Sequence, residues 1–261
     1  MGIHIRYNLH QWSTFTRSFG WIVGTRLFFN IKLKRQVPLQ LPQLSHPLWL
    51  RPQTSDFPTF LQVFVEQQYK FDYGKSPKVI IDGGANIGLF ALEMKRKYPD
   101  AQVICIEPDP ENFEMLVKNT QAYPNVFHEQ AGIWFKDTTL QVYDKYNKGK
   151  WALVVEENLE AGNVKALSIG TLMQKYQLER IDVLKLDIET SELELFSRDY
   201  LDWLPKVKMV VVELHGWRHH VTAGFEIIVR KRITSRVASI CNTKFELRGA
   251  IHHQGVYNRM V

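Results

Sequence analysis

The stretch VIIDGGANIGLF, residues 79–90, constrains this chain more than any other. An apolar run ends in Asp82, two glycines follow, and after Asn86 and Gly88 an apolar pattern resumes at helical spacing. An uninterrupted apolar run suits a strand buried on both faces, and such strands belong to parallel sheets covered by helices. The pattern recurs. QVICIE precedes DPENFEMLVKN, NVFHEQAGIW holds a third strand, IDVLKLD precedes SELELFSRDYL, and KVKMVVVELH forms a fifth strand. Strands alternating with helices predict an α/β, Rossmann-like, doubly wound sheet. Ligands of such sheets bind at the C-terminal edge, where strand order reverses. Asp82, Glu107, Asp187 and His215 all fall at predicted strand C-termini, so four polar groups are expected on one rim.

The spacing around the first turn limits the ligand. A dinucleotide fingerprint needs glycines where Ala85, or Asn86 and Leu89, stand, and the lysine of a phosphate-cradling loop is missing. The pattern present is D-x-G-x-N-x-G. Gly84 allows close backbone approach, Asn86 tolerates a positive φ, and Gly88 lets the following helix pack near the turn. A carboxylate at Asp82 disfavours pyrophosphate and suits a cationic ligand; S-adenosylmethionine carries an ammonium and a sulfonium. Glu107, at the end of the second strand, is placed to accept both hydroxyls of a ribose.

Flanking segments read less sharply. Residues 1–35 look helical. Pro38, Pro42, Pro47, Pro52 and Pro58 then enforce extended backbone and turns, and a helix follows around Phe60, Val63 and Phe64. Residues 139–157 read as a hairpin, Ser168 caps a helix, and a helix near 222–239 precedes two short strands, KFELRG and GVYNRM. Of the net charge of +6, all the excess lies at the start: residues 1–51 hold seven Lys or Arg and no Asp or Glu. A basic, aromatic-rich segment of this kind suits a substrate lid, an oligomer contact or an anionic membrane surface. No run reaches the roughly 18–20 apolar residues of a membrane span. Two cysteines in no metal-binding spacing point to a reducing, cytoplasmic setting, peripheral at most to the inner membrane face. No RNA-binding motif or basic recognition helix is evident.

IIDGGANIGLF, IEPDPENFEMLVKN, IDVLKLDIETSELELF and VVVELH together resemble the FkbM-like branch of the class I S-adenosylmethionine-dependent methyltransferases. The resemblance covers about residues 45–215. It implies a seven-stranded sheet with the last strand antiparallel and methyl transfer to a hydroxyl, often of a sugar, glycolipid or polyketide. KSP at 75–77 ends the N-terminal region, so residues 1–75 are expected to be an N-terminal segment and 76–261 the cofactor-binding domain. Asp82, Gly83, Gly84, Ala85, Asn86 and Gly88 would hold the methionine part and Glu107 the ribose. Pro108 and Asp109 would shape the adenine side, and Glu129 and Ala131 would close its pocket. Thr54 to Asp56 would fold over the cofactor. The family's Asp-x-Glu-Gly-Ala-Glu reads DIETSE here, with Thr190 and Ser191 in place of Gly and Ala. This departure leaves open a catalytically weak scaffold of the same fold.

An alcohol acceptor must lose its proton as the new bond forms. His215 and Asp187 are the candidate bases, and Glu189 and Glu213 would orient the acceptor. A Mg²⁺ on Asp187, Glu189 and Glu213 is chemically allowed but not favoured.

Overall fold

The computed structural model describes residues 2–33, 38–143, 154–157, 162–188, 191–213 and 226–230. The described residues lie within the compact unit Met1–Lys231; Arg232–Val261, with the two short strands expected there, falls outside them. The strands are β1 Val79–Gly83, β2 Gln102–Ile106, β3 Val126–Glu129, β4 Gly132–Ile133, β5 Thr138–Tyr143, β6 Val154–Glu157, β7 Val164–Leu167, β8 Val183–Leu186, β9 Met209–Glu213 and β10 Glu226–Arg230. The α-helices are α1 Gly2–Phe19, α2 Trp21–Lys32, α3 Asp56–Phe60, α4 Leu89–Lys97, α5 Pro110–Thr120, α6 Ile169–Lys175, α7 Glu192–Ser197 and α8 Tyr200–Trp203.

The apolar runs become a central sheet in the order β10-β9-β8-β1-β2-β3. Its five strands β9 to β3 pair in parallel, and β10 adds antiparallel to β9. Six strands are therefore described. The chain builds outward from β1 through β2 to β3, then returns to the other side of β1 at β8. The order thus reverses between β1 and β8, and a ligand crevice is expected beside that junction. A smaller sheet, β4-β7-β5-β6, closes over Trp134, Leu140 and Ala166. Its antiparallel β5–β6 pair is the expected hairpin.

Two elements differ from the sequence reading. Residues 226–230, expected inside a helix, are a strand. Ile227, Ile228 and Val229 are β-branched, and the edge of β9 supplies the ladder. The single helix expected from Ser191 is broken into α7 and α8, because Arg198 is extended and Asp199 sits at φ 53. In addition β7, a short stretch the sequence did not mark, pairs with β4 and β5.

The N-terminal helices are part of the main core. Phe15, Phe19 and Leu27 share one cluster with Leu48, Phe60, Ile80 and Leu92. The proline-rich stretch is extended as expected, held by the Leu39–Leu48 bridge. Asn119 fastens it: its Oδ1 accepts from Trp49 N at 2.8 Å, and its Nδ2 donates to Trp49 O at 3.1 Å and Ile87 O at 3.0 Å.

Candidate active site

The turn after β1 is fixed by backbone geometry. Gly84, Asn86 and Gly88 have φ of 70°, 50° and 86°, the left-handed region that favours glycine and tolerates asparagine. A Cβ on Gly84 would lie 1.8 Å from Asp187 O, so the end of β8 presses directly on the turn. A Cβ on Gly88 would meet Leu116 Cδ1 at 2.8 Å and Thr120 Cγ2 at 2.9 Å, which is how α4 and α5 come together. The turn is strapped to β2. The amides of Gly84 and Ala85 donate to Ile106 O at 3.0 and 2.9 Å, and Asn86 N donates to Glu107 Oε2 at 2.7 Å.

Beneath the turn lies a buried ion pair. Asp82 and Lys185 are Cα partners across β1 and β8, so their side chains meet on one face of the sheet. Lys185 Nζ stands 3.3 Å from Asp82 Oδ1 and 3.6 Å from Asp187 Oδ2, and donates to Gly84 O at 2.7 Å. Asp82 is fully buried and Lys185 nearly so. Burial drives the ammonium pKa down, but Asp82, Tyr69 and Asp187 outweigh it and hold Lys185 above its ordinary value. The cation that Asp82 faces is thus Lys185. The sequence reading missed Lys185, although a lysine inside the apolar run IDVLKLD already required a buried partner.

Glu107 sits at the end of β2, nearly buried. Oε2 takes the Asn86 amide and Oε1 the Asp109 amide at 3.0 Å. Burial pushes its pKa up to about 7, against the opposing pull of those two amides and the Asn112 side chain. Pro108 passes the chain into α5, whose N-cap Asp109 accepts from Asn112 N at 3.0 Å. A second acid supports Glu107 from the lead-in segment. Asp56, fully buried, binds Arg51 at 2.8 Å through Oδ1, and Arg51 Nη2 donates to Asn112 Oδ1 at 2.6 Å. Asp56, Arg51, Asn112 and Glu107 thus form one polar chain. Asn86 Oδ1 is buried without a hydrogen-bond partner. Beyond the two amides and the Asn112 side chain the Glu107 carboxylate keeps lone-pair capacity, and Asn86 Oδ1 can accept from an N–H or O–H. This donor and acceptor set fits the hydroxyls and amines of a nucleoside.

The other expected residues divide. Ala131 is buried just past β3, while the Glu129 carboxylate is engaged by Tyr176 OH and Lys175 Nζ, both at 2.5 Å. Asp187 follows β8 beside the turn, its side chain 29% exposed and its amide bonded to Gly83 O at 3.0 Å. Glu213 closes β9, which places it on the same strand-end rim. Glu189, Thr190 and His215 lie outside the described residues. Ser191, where the family has alanine, is nearly buried at the N-terminus of α7. Among the described residues no group of three or more His, Cys, Asp or Glu is arranged to hold a metal, and Glu189, one of the three acids that could chemically hold Mg²⁺, is not among them.

The family pattern described as "Methyltransferase FkbM domain" matches residues 82–231. The chain is 31% identical to "Methyltransferase sdnD" of Sordaria araneosa, over 59% of this chain and 73% of that protein. It is 27% identical to "Hexuronic acid methyltransferase AglP" of Haloferax volcanii, over 53% of this chain and 56% of that protein. Among solved structures, that of the plantazolicin methyltransferase BpumL in complex with SAH aligns at 13% identity and a TM-score of 0.31. The alignment covers 81% of this chain and 60% of that one.

Proposed function

The chain belongs to the FkbM methyltransferase family, and from that premise we propose that it moves a methyl group from S-adenosylmethionine to a hydroxyl of a carbohydrate, glycolipid or related natural product. The observation that carries the cofactor part is the strap between the Gly84–Gly88 turn and Glu107. A single hydrogen bond, Asn86 N to Glu107 Oε2, couples the turn to the acid at the end of the next strand. In this reading Glu107 accepts the ribose hydroxyls, with Pro108 and Asp109 on the adenine side and Ala131 beneath it. The turn from Gly83 to Gly88 borders the methionine part. Asp82 acts through Lys185, which holds the Gly84 carbonyl and so fixes the turn.

S-adenosylmethionine, when bound, supplies an electrophilic methyl group and a neutral leaving group. The chain must align the acceptor and remove its proton, and alignment alone is worth a large share of such a barrier. Asp187 is proposed as one base because it lies against the turn and its carboxylate, 3.6 Å from Lys185 Nζ, is part-exposed. His215, two residues beyond the end of β9, is the other, with Glu189 and Glu213 orienting the acceptor. The seven-strand form of the sheet belongs to the same reading; the antiparallel β10 supports it. The sugar class is supported by the hexuronic acid methyltransferase among the relatives.

The test is transfer of label from methyl-labelled S-adenosylmethionine to a panel of free sugars, uronic acids, glycolipids and short peptides. Label on a sugar hydroxyl is the expected outcome. Label only on peptide nitrogen or on carboxylate oxygen would overturn the hydroxyl reading while leaving the cofactor assignment standing.

A further inference from the structure

Seven large apolar side chains stand exposed among the described residues, and five of them lie in the first 33: Leu9, Trp21, Ile22, Phe29 and Leu33. Four are on or beside α2. At 3.6 residues per turn, Trp21, Ile22 and Phe29 fall within an arc of about 100° that Leu33 extends. The same side of the helix carries the exposed Arg26 and Lys32. The opposite side is already used. Leu27 is in the main core, and Gly24 lies so close to α1 that a Cβ would meet Phe15 C at 2.5 Å. On the outer side Trp12 packs edge-on against Trp21 at 4.8 Å and donates to Thr25 Oγ1 at 3.0 Å, which ties the start of the stripe to α1. The outer stripe therefore belongs to a helix held firmly on the body of the protein, with Ile22 80% and Trp21 66% exposed.

We propose that this outer face of α2 docks on an anionic membrane surface. The charge distribution decides the partner. Residues 1–51 carry seven basic and no acidic side chains, and the rest of the chain is balanced to within one charge. An aromatic and aliphatic stripe bordered by Arg and Lys, with no acid near it in sequence, matches the boundary between acyl chains and anionic headgroups. With 12 residues, α2 is about 18 Å long, short of the ~30 Å hydrocarbon core. Among the described residues no helix is long and apolar enough to cross a membrane. The helix therefore lies in the plane of the surface, apolar stripe down, and the inference is independent of which acceptor is methylated.

The experiment is co-sedimentation of the full chain with vesicles of phosphatidylcholine alone or mixed with phosphatidylglycerol, at low and high salt. Binding is expected only to the anionic vesicles and should weaken as salt screens the charges. Each basic side chain near such a surface is worth about fivefold, so Arg26→Gln with Lys32→Gln should weaken binding about 25-fold. Trp21→Ser with Ile22→Ser should abolish stable binding even at low salt. Circular dichroism of both variants should match the parent, and melting should fall only slightly in Trp21→Ser, Ile22→Ser for the lost Trp12 contact, which separates lost docking from lost folding. Absence of binding, equal binding to neutral vesicles, or binding unchanged in both variants would overturn the proposal. So would concentration-dependent self-association without lipid that the Trp21→Ser, Ile22→Ser variant abolishes, since a second copy would then cover the face.

Discussion

Asp82 and Glu107 end neighbouring parallel strands, and both are buried carboxylates, but they are held in different ways. Asp82 faces a full countercharge, Lys185, paired with it across the sheet. Among the described residues Glu107 has no countercharge: two backbone amides and the Asn112 side chain donate to it, and the nearby Asp109 charge opposes its ionisation. A countercharge locks a site, because losing either partner strands the other in low dielectric. Amide dipoles leave the carboxylate able to gain or lose its proton near neutrality, and leave lone pairs for a ligand. The first strand end is thus scaffold and the second is the part of the rim fit to respond to what binds.

The sharpest way to break this contrast is Lys185→Met. It leaves Asp82 buried and uncompensated, and should cost about 3–5 kcal/mol in urea unfolding. The double change Asp82→Asn, Lys185→Met should recover most of that. A loss below about 1 kcal/mol for Lys185→Met would mean that the pair is not what holds Asp82.

Next in size is Gly84→Ala, where a side chain at φ 70° would also run into Asp187 O. A loss of about 2–3 kcal/mol is expected. Gly170→Ala, whose Cβ would meet nothing nearer than Ser168 Oγ at 3.7 Å, serves as the control with little change.

Glu107→Gln tests the responsive end. Its pKa rises from 4.5 in the unfolded chain to about 7 in the fold, so the folded state holds a proton that the unfolded chain has released. Its contribution to stability is fully present below the unfolded value and is lost as pH rises through the folded one. Acceptance of ribose hydroxyls needs the ionised form, so affinity for S-adenosylhomocysteine should run the other way, rising about tenfold from pH 6 to pH 8. Calorimetry across that range should show the rise in the parent and a flat response in Glu107→Gln. The smallest expected effect is Asp109→Ala, which removes the N-cap of α5 for about 1 kcal/mol in thermal unfolding while leaving the Asp109 amide on Glu107.

Much of this rim is legible in the sequence, because a tight turn between a buried strand and a helix leaves few choices of residue. Asp82, Gly84, Asn86, Gly88, Glu107 and Asp109 occupy the turn and strand-end positions that their spacing predicts, with the left-handed backbone anticipated at Asn86. Two groups are not legible for opposite reasons. Lys185 looks like a flaw in an apolar strand until strand order puts it beside Asp82, and order across a parallel sheet is a long-range property. Arg51 lies in a proline-rich stretch with no periodicity, and its pairing with Asp56, a residue marked only through the family resemblance, appears once the chain's return over α5 brings both to Asn112. Residues 226–230 read as helix in the sequence because IIV fits a buried helix as well as an edge strand, and pairing with β9 decides between them.

The central claim, that the turn and Glu107 hold an S-adenosyl ligand, is tested most directly by calorimetric titration of the purified chain with S-adenosylhomocysteine at pH 8. NAD serves as the control ligand and Glu107→Gln as the control protein. Micromolar-range binding, no heat with NAD, and a clear loss of affinity in the variant are predicted. No binding to the parent, or equal binding in Glu107→Gln, would contradict the account.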